Sequence, residues 1–243
     1  MKNFIFILLG FLSFTNHAQV DIKLQYGPSA SLDWSYRSLK IANGYDGIYE
    51  SIIFDRDQKE KFAPRATVGF DFGLLFGDHF SMGTAVHYSN KGYQHKNIYT
   101  TFFQYVVDGV TYVEEISSVD VNAWINYHYI DIPITIGYQF NLGERNGLKF
   151  QLGYINNLYL TSSYRAWFNY ENGTKEKNYD SNRELSNYSA QGMGGIYFQW
   201  KPGQMETPIE IGPQFKFSIL SIVDSPIHER LYSVGLRAAW YLR

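Results

Sequence analysis

His87 and Ser89 sit one residue apart in the run His87-Tyr88-Ser89-Asn90. An imidazole within reach of a hydroxyl is the pairing that lets serine attack an ester, because the base takes the hydroxyl proton as the oxygen bonds to carbon. On a strand, alternate residues project to one side, so both groups would share a face. The competing reading is that both simply belong to a polar lining and do no chemistry. Nine ionisable positions share such a placement: Lys23, Asp33, Asp71, His87, Asp131, Lys149, Glu210, Lys216 and Arg237 each take the polar phase of an alternating segment. Histidine aside, they divide equally between cations and anions. That equality matters because charge is tolerated away from water only when paired and hydrogen-bonded. The set is expected to form one internal polar network.

Other groups carry less. Asp55, Asp57 and Glu60 are interleaved with Arg56, Lys59 and Lys61. Calcium needs several converging oxygens, and this spacing lacks the glycine and closing glutamate of an EF-hand loop, so a solvated loop face is expected. His79 and His228 have no metal-ligand spacing. Gly192, Gly194 and Gly195 precede no helix and form no phosphate loop; close strand approach is expected there. The chain has no cysteine, which removes disulfides, thiolate zinc sites and cysteine nucleophiles. A net charge of −2 offers no field for nucleic acid. Neither metal nor cofactor is expected.

The elements that hold these residues are strands. From Ile22 the even positions Leu24, Tyr26, Ala30, Leu32 and Trp34 are apolar against Lys23, Gln25, Gly27, Ser29, Ser31 and Asp33. The same period of two returns around Val68–Phe76, Phe80–Tyr88, Ile130–Phe140, Leu148–Leu160, Ile196–Trp200, Ile209–Ile219 and Tyr232–Trp240. This makes eight candidate strands. Pro28, Pro133 and Pro213 each remove a ladder donor, and local bulges are expected there. Connections alternate in length. Residues 77–79, 141–147 and 201–208 are short; those near 35–64, 90–126, 165–187 and 221–229 are long. In the second long one, Asp108-Gly109 separates two apolar runs, a hairpin signal that would extend the flanking strands.

Aromatics are 18% of the residues, and Tyr and Trp favour membrane–water interfaces. Lys2 followed by the apolar stretch Phe4–Phe14 reads as a secretory signal over 1–18, too short to span a bilayer as a helix. Residues 19–243 then form the mature domain. The crowded aromatic face cannot fit inside an eight-stranded barrel, whose interior only just accommodates side chains. The expected fold is therefore all-β: an eight-stranded antiparallel up-and-down transmembrane β-barrel with short periplasmic turns and longer extracellular loops. It would lie in a bacterial outer membrane with the apolar face toward lipid.

Two short stretches resemble a known family. Tyr129-Ile130-Asp131-Ile132-Pro133-Ile134 is similar to the aromatic-Leu-Glu-Ile-Pro strand of the outer-membrane barrel domain typical of the Bacteroidetes, with Asp131 in place of the commoner Glu. Tyr88-Ser89-Asn90-Lys91-Gly92 resembles the same family's Tyr-Ser-Gln-Lys-Gly stretch. The family includes PorT-like proteins, so the resemblance implies a barrel in the cell envelope, in PorT's case beside the type IX secretion apparatus. His87-Tyr88-Ser89-Asn90 also resembles the His-x-Ser-Asn motif of outer-membrane lipid A deacylases. That family needs an acid somewhat over ten residues downstream, where Thr100 and Thr101 stand, and a dyad turned toward lipid.

These observations lead to a non-catalytic barrel, monomeric, whose partners are outer-membrane lipid and cell-envelope or secretion-machinery proteins met through its extracellular loops. Two alternatives stay open. One is a lipid A deacylase-like esterase using His87 and Ser89. The other is a soluble periplasmic lipid-binding barrel with its faces inverted.

Overall fold

The computed structural model describes residues 21–41, 48–107, 110–171, 174–180, 185–203, 208–223 and 227–242. The expected signal segment and the Asp108-Gly109 turn lie outside them. Ten strands and one helix follow in order: β1 (Ile22–Ile41), α1 (Ile48–Lys59), β2 (Glu60–Lys61), β3 (Ala63–Phe76), β4 (Phe80–Val107), β5 (Val110–Asn141), β6 (Asn146–Tyr170), β7 (Lys175–Asp180), β8 (Tyr188–Trp200), β9 (Ile209–Ser218) and β10 (Ile227–Trp240). Eight of them close a ring by antiparallel pairing in the circuit β1-β3-β4-β5-β6-β8-β9-β10 and back to β1. The two short strands attach outside the ring, β2 on β4 and β7 on β6. No helix among the described residues is long and apolar enough to cross a membrane.

The period of two decides what faces where. On β1, Gln25, Ser29, Ser31, Asp33 and Ser35 are buried, while Leu24, Leu32 and Trp34 are exposed. The same phase holds around the ring, with Phe72, Val86, Ile134, Leu152, Phe215 and Val234 on the outside. At 52% exposure for Ile134 and 60% for Leu152, this apolar exterior is the reverse of a soluble lipid carrier's and overturns that alternative. From Leu24 to Trp34 the belt rises roughly 25 Å, taking ~3.3 Å per residue and a strand tilt near 40°. That matches the apolar band of an outer-membrane barrel. Aromatic rings crowd its lower rim, with Phe76 against Phe80 at 5.9 Å and Tyr138 against Phe140 at 4.9 Å. At the upper rim the phenol of Tyr88 meets Nδ1 of His128 at 2.6 Å.

The prolines do not create bulges. Pairing between β4 and β5 lapses between Thr84↔Ile134 and His87↔Asp131, then resumes in the same register. The same happens at Pro213 between Gly195↔Gln214 and Phe198↔Ile211, and at Pro28 between Tyr26↔Leu242 and Ser29↔Ala239. A missing N–H removes a ladder bond without adding a residue, so the phase survives. The bulges fall elsewhere, between Thr101 and Phe102 and between His128 and Tyr129. At the second, Tyr129 faces Tyr159 while His128 faces Thr161, so Leu160 is the extra residue. Above it the inward phase of β6 changes from odd to even, to Ser162, Tyr164 and Ala166.

The long connections are largely structured. β4 and β5 run on past the belt and stay paired to Val107↔Val110, as the Asp-Gly signal predicts. β6 follows them and carries β7, while the first long connection contains α1. The result is a sheet of β4, β5, β6 and β7 standing on the extracellular side.

Candidate functional site

Within the belt, the inward side chains form a continuous ionic lattice. Glu210, completely buried on β9, accepts from Nζ of Lys149 at 2.9 and 3.3 Å and from Nε2 of Gln199 at 2.8 Å. Arg237 lies 3.7 Å from Glu210 and pairs directly with Asp71. Asp71 also accepts from Tyr241 at 3.2 Å and Ser29 at 3.0 Å. One layer up, Asp33 accepts from Lys216 at 2.8 Å, Gln214 at 3.0 Å and Ser31 at 2.9 Å. Higher still, Lys91 donates to Asp131 at 2.9 Å, to Gln191 at 2.7 Å and to Asn157. A cavity of about 50 Å³ remains beside Ser29, Asp71 and His87. It has room for a few waters.

Eight of the nine residues expected in this network line the lumen. Lys23 does not. It sits at the periplasmic rim, where it pairs with Asp21 at 2.9 Å and Asp78 at 3.3 Å. Those hydrogen bonds hold its ammonium above its ordinary pKa. The first turn brings Asp78 under β1, a contact that alternation cannot reveal. Three further pieces went unread in the sequence: Lys91, Arg65 and the group of Arg37, Glu60 and Glu229. With them, the buried charges among the described residues are six cations and six anions. Neutrality is expected because an unpaired ion in such a space costs several kcal/mol. Glycines make the room: a side chain at Gly235 would sit 2.3 Å from Oδ1 of Asp33, and one at Gly69 would strike the His87 ring at 2.3 Å.

Above the belt the lining changes character. Tyr93, Ala123, Ile125, Tyr127, Tyr129, Ala166, Ile222 and Leu231 form an apolar core, joined at its edge by Tyr159, Tyr164 and Phe168. This cap lies over the ionic lumen. Arg37 clasps it. Its guanidinium lies 3.9 Å over the Tyr93 ring, and binds Glu60 through Nε at 2.9 Å and Glu229 through Nη1 at 2.7 Å. Glu60, which the sequence placed with a solvated acidic cluster, thus ties the first extracellular segment to the barrel mouth. Asp55 remains outside and pairs with Lys59 one helical turn on. His95, opposite Glu60 in the β2–β4 pairing, is half-buried; burial first, then Lys59 and Arg37, lower its pKa.

The serine–histidine pair is arranged unlike a hydrolase. His87 and Ser89 face the lumen, not lipid. An acid does reach the imidazole, from the neighbouring strand: Oδ1 of Asp71 lies 2.7 Å from Nε2 of His87. Ser29 approaches the same Nε2 at 3.1 Å. A triad needs acid and hydroxyl on opposite ring nitrogens. Ser89 has no hydrogen-bond partner among the described residues and is fully buried. No group of three or more metal-ligating side chains occurs among the described residues. Gly192 and Gly194 face outward, covered by the rings of Phe217 and Phe215 from the next strand, which accounts for their place in a lipid-facing row.

A family model described as the outer membrane protein beta-barrel domain matches residues 49–225. No curated protein matches the chain. Among solved structures, it is similar to the outer membrane protein OprG from Pseudomonas aeruginosa, at 11% identity over 92% of this chain and 97% of that one, with a TM-score of 0.42. It is similar to Ail, the attachment invasion locus protein of Yersinia pestis, at 14% identity over 90% and 98%, with a TM-score of 0.35. Neisserial surface protein A is 12% identical over 89% and 97%, with a TM-score of 0.35.

Proposed function

Because this chain belongs to the outer membrane protein β-barrel domain family, we propose that it works in the outer membrane as a non-catalytic interaction or assembly component, acting through its extracellular sheet. One observation carries this reading. The lumen is filled by paired ions and covered by an apolar cap, while β4, β5 and β6 continue well past the lipid belt as a paired sheet. Strand length invested outside the membrane has no use in spanning it. A sheet standing on the cell surface offers a rigid platform to other envelope proteins.

The resemblance of Tyr88–Gly92 and Tyr129–Ile134 to PorT-like proteins favours secretion-machinery subunits as those partners. An export signal over residues 1–18 is part of the same proposal. Crosslinking in intact outer membranes, followed by mass spectrometry of what co-purifies, tests it. Envelope or secretion proteins crosslinked to positions on β4–β7 are the expected result. Crosslinks confined to the barrel's own residues would overturn the partner role and leave only the barrel.

A further inference from the structure

The extracellular sheet has a second face, turned away from the apolar cap. Strand register sets its composition. One row runs Lys61 on β2, Gln94 on β4, Trp124 on β5, Arg165 on β6 and Tyr179 on β7. The next runs Lys96, Asn122, Trp167 and Lys177. Lys175 continues the pattern opposite Asn169. All five cations are exposed, and none of them makes an ion pair among the described residues. Two of them lean on rings instead: Arg165 lies 5.6 Å from the Tyr179 ring and Lys177 lies 5.9 Å from the Trp167 ring. Among the residues whose side chains are described, the acids on this face are Asp120 beside Asn169 and Glu171 hydrogen-bonded to Ser118, both at its far upper end.

Flat rings, amides and unpaired cations on one surface suit an anionic saccharide. The rings take the C–H face of a sugar, the amides its hydroxyls, and the cations its phosphates or carboxylates. Position selects the source. Down β5 the same outward row passes from Trp124 through Asn126 and His128 to Ile130, Ile132 and Ile134. Six residues separate Trp124 from Ile130, roughly 15 Å of height at the tilt used above. Cations in line with an apolar row, with Asn126 and His128 between, meet the saccharide headgroup of a molecule whose tails occupy that row. A free polymer would have no need of this continuity.

We propose that the face built by Lys96, Arg165 and Lys177 around Trp124 and Trp167 binds the anionic saccharide headgroup of a glycolipid in the same outer leaflet, its acyl chains lying along Ile130, Ile132 and Ile134. The test uses the full chain in phosphatidylcholine nanodiscs, titrated with lipopolysaccharide and followed by tryptophan fluorescence. A cation near an anionic surface contributes about fivefold, so the triple variant Lys96→Glu, Arg165→Glu, Lys177→Glu should bind roughly a hundredfold more weakly. Dephosphorylated lipopolysaccharide and soluble dextran sulfate should both bind more weakly than the intact glycolipid. Equal binding by wild type and triple variant would overturn the proposal. So would dextran sulfate binding as tightly as lipopolysaccharide, which would make the ligand a soluble polyanion. Heat-modifiable gel migration reports folding; if the triple variant fails that check, the single exposed change Lys177→Glu decides, with about fivefold weakening expected and none overturning the proposal.

Discussion

Glu210→Gln changes the lumen by one charge and almost no volume. In the wild type, Glu210 is completely buried and accepts from Lys149 at 2.9 Å and Gln199 at 2.8 Å, with Arg237 at 3.7 Å. The amide can keep a hydrogen bond to a neighbour but leaves Lys149, itself buried, without a counter-charge. Breaking a buried pair from one side costs about 3–5 kcal/mol, because the remaining ion stays desolvated. Lys149→Met should cost a similar amount, stranding Glu210 between Gln199 and the more distant Arg237. The double variant removes both charges and restores neutrality, so it should recover most of that loss. Denaturant unfolding in lipid vesicles, followed by tryptophan fluorescence, measures all four corners of the cycle. A coupling below about 0.5 kcal/mol would refute the claim that these charges act as a pair. A single-variant cost below about 1 kcal/mol would show that water reaches Lys149, and the sealed lumen would be wrong.

The protein reconstituted in planar bilayers should show no unitary current steps, since paired side chains and the cap fill the passage; regular openings would refute the plug. Cysteine at Phe72 or Ile134 should resist a water-soluble maleimide in intact outer membranes, while cysteine at Ile98, above the belt, should react at once; the opposite pattern would turn the barrel inside out. His87→Ala and Ser89→Ala should leave lipid A acylation unchanged, and loss of a chain-removing activity in either would revive the esterase reading. His95 tests the first extracellular segment. Its folded pKa is lowered from 6.5, so the stability it contributes is complete above that value and falls as acid protonates the unfolded state first. Limited proteolysis of α1 should therefore quicken between about pH 7.5 and 5.5, and His95→Gln should flatten the profile; an unchanged wild-type rate across that range would contradict it.

Alternation along the strands determined, without any coordinates, the number of barrel strands, the division of the belt residues into two faces and the order of short and long connections; the crowded aromatics then chose which face looks outward. A period of two is a property of neighbouring residues, so it survives in one dimension. The prolines did not disturb it, because each removes a hydrogen bond and not a place in the count. Eight of the nine lumen residues follow from that phase, as does their near-neutral sum.

What lay beyond the sequence is whatever depends on distance between strands far apart in the chain. Lys23 has the right phase but the wrong height, and only the first turn places Asp78 beneath it. Glu60 reads as one acid among several until β2 pairs with β4 and carries it to Arg37. Asp71 reaches His87 from the next strand, on the nitrogen that Ser29 also contacts, which is not the arrangement of a triad. At Leu160 a single extra residue reverses the phase of β6, so the pattern does not show that Tyr164 and Ala166 join Tyr93, Tyr127 and Tyr129 in the cap. Phase is written locally, but register and height are set when the ring closes, because only closure fixes how far each strand slides against the next.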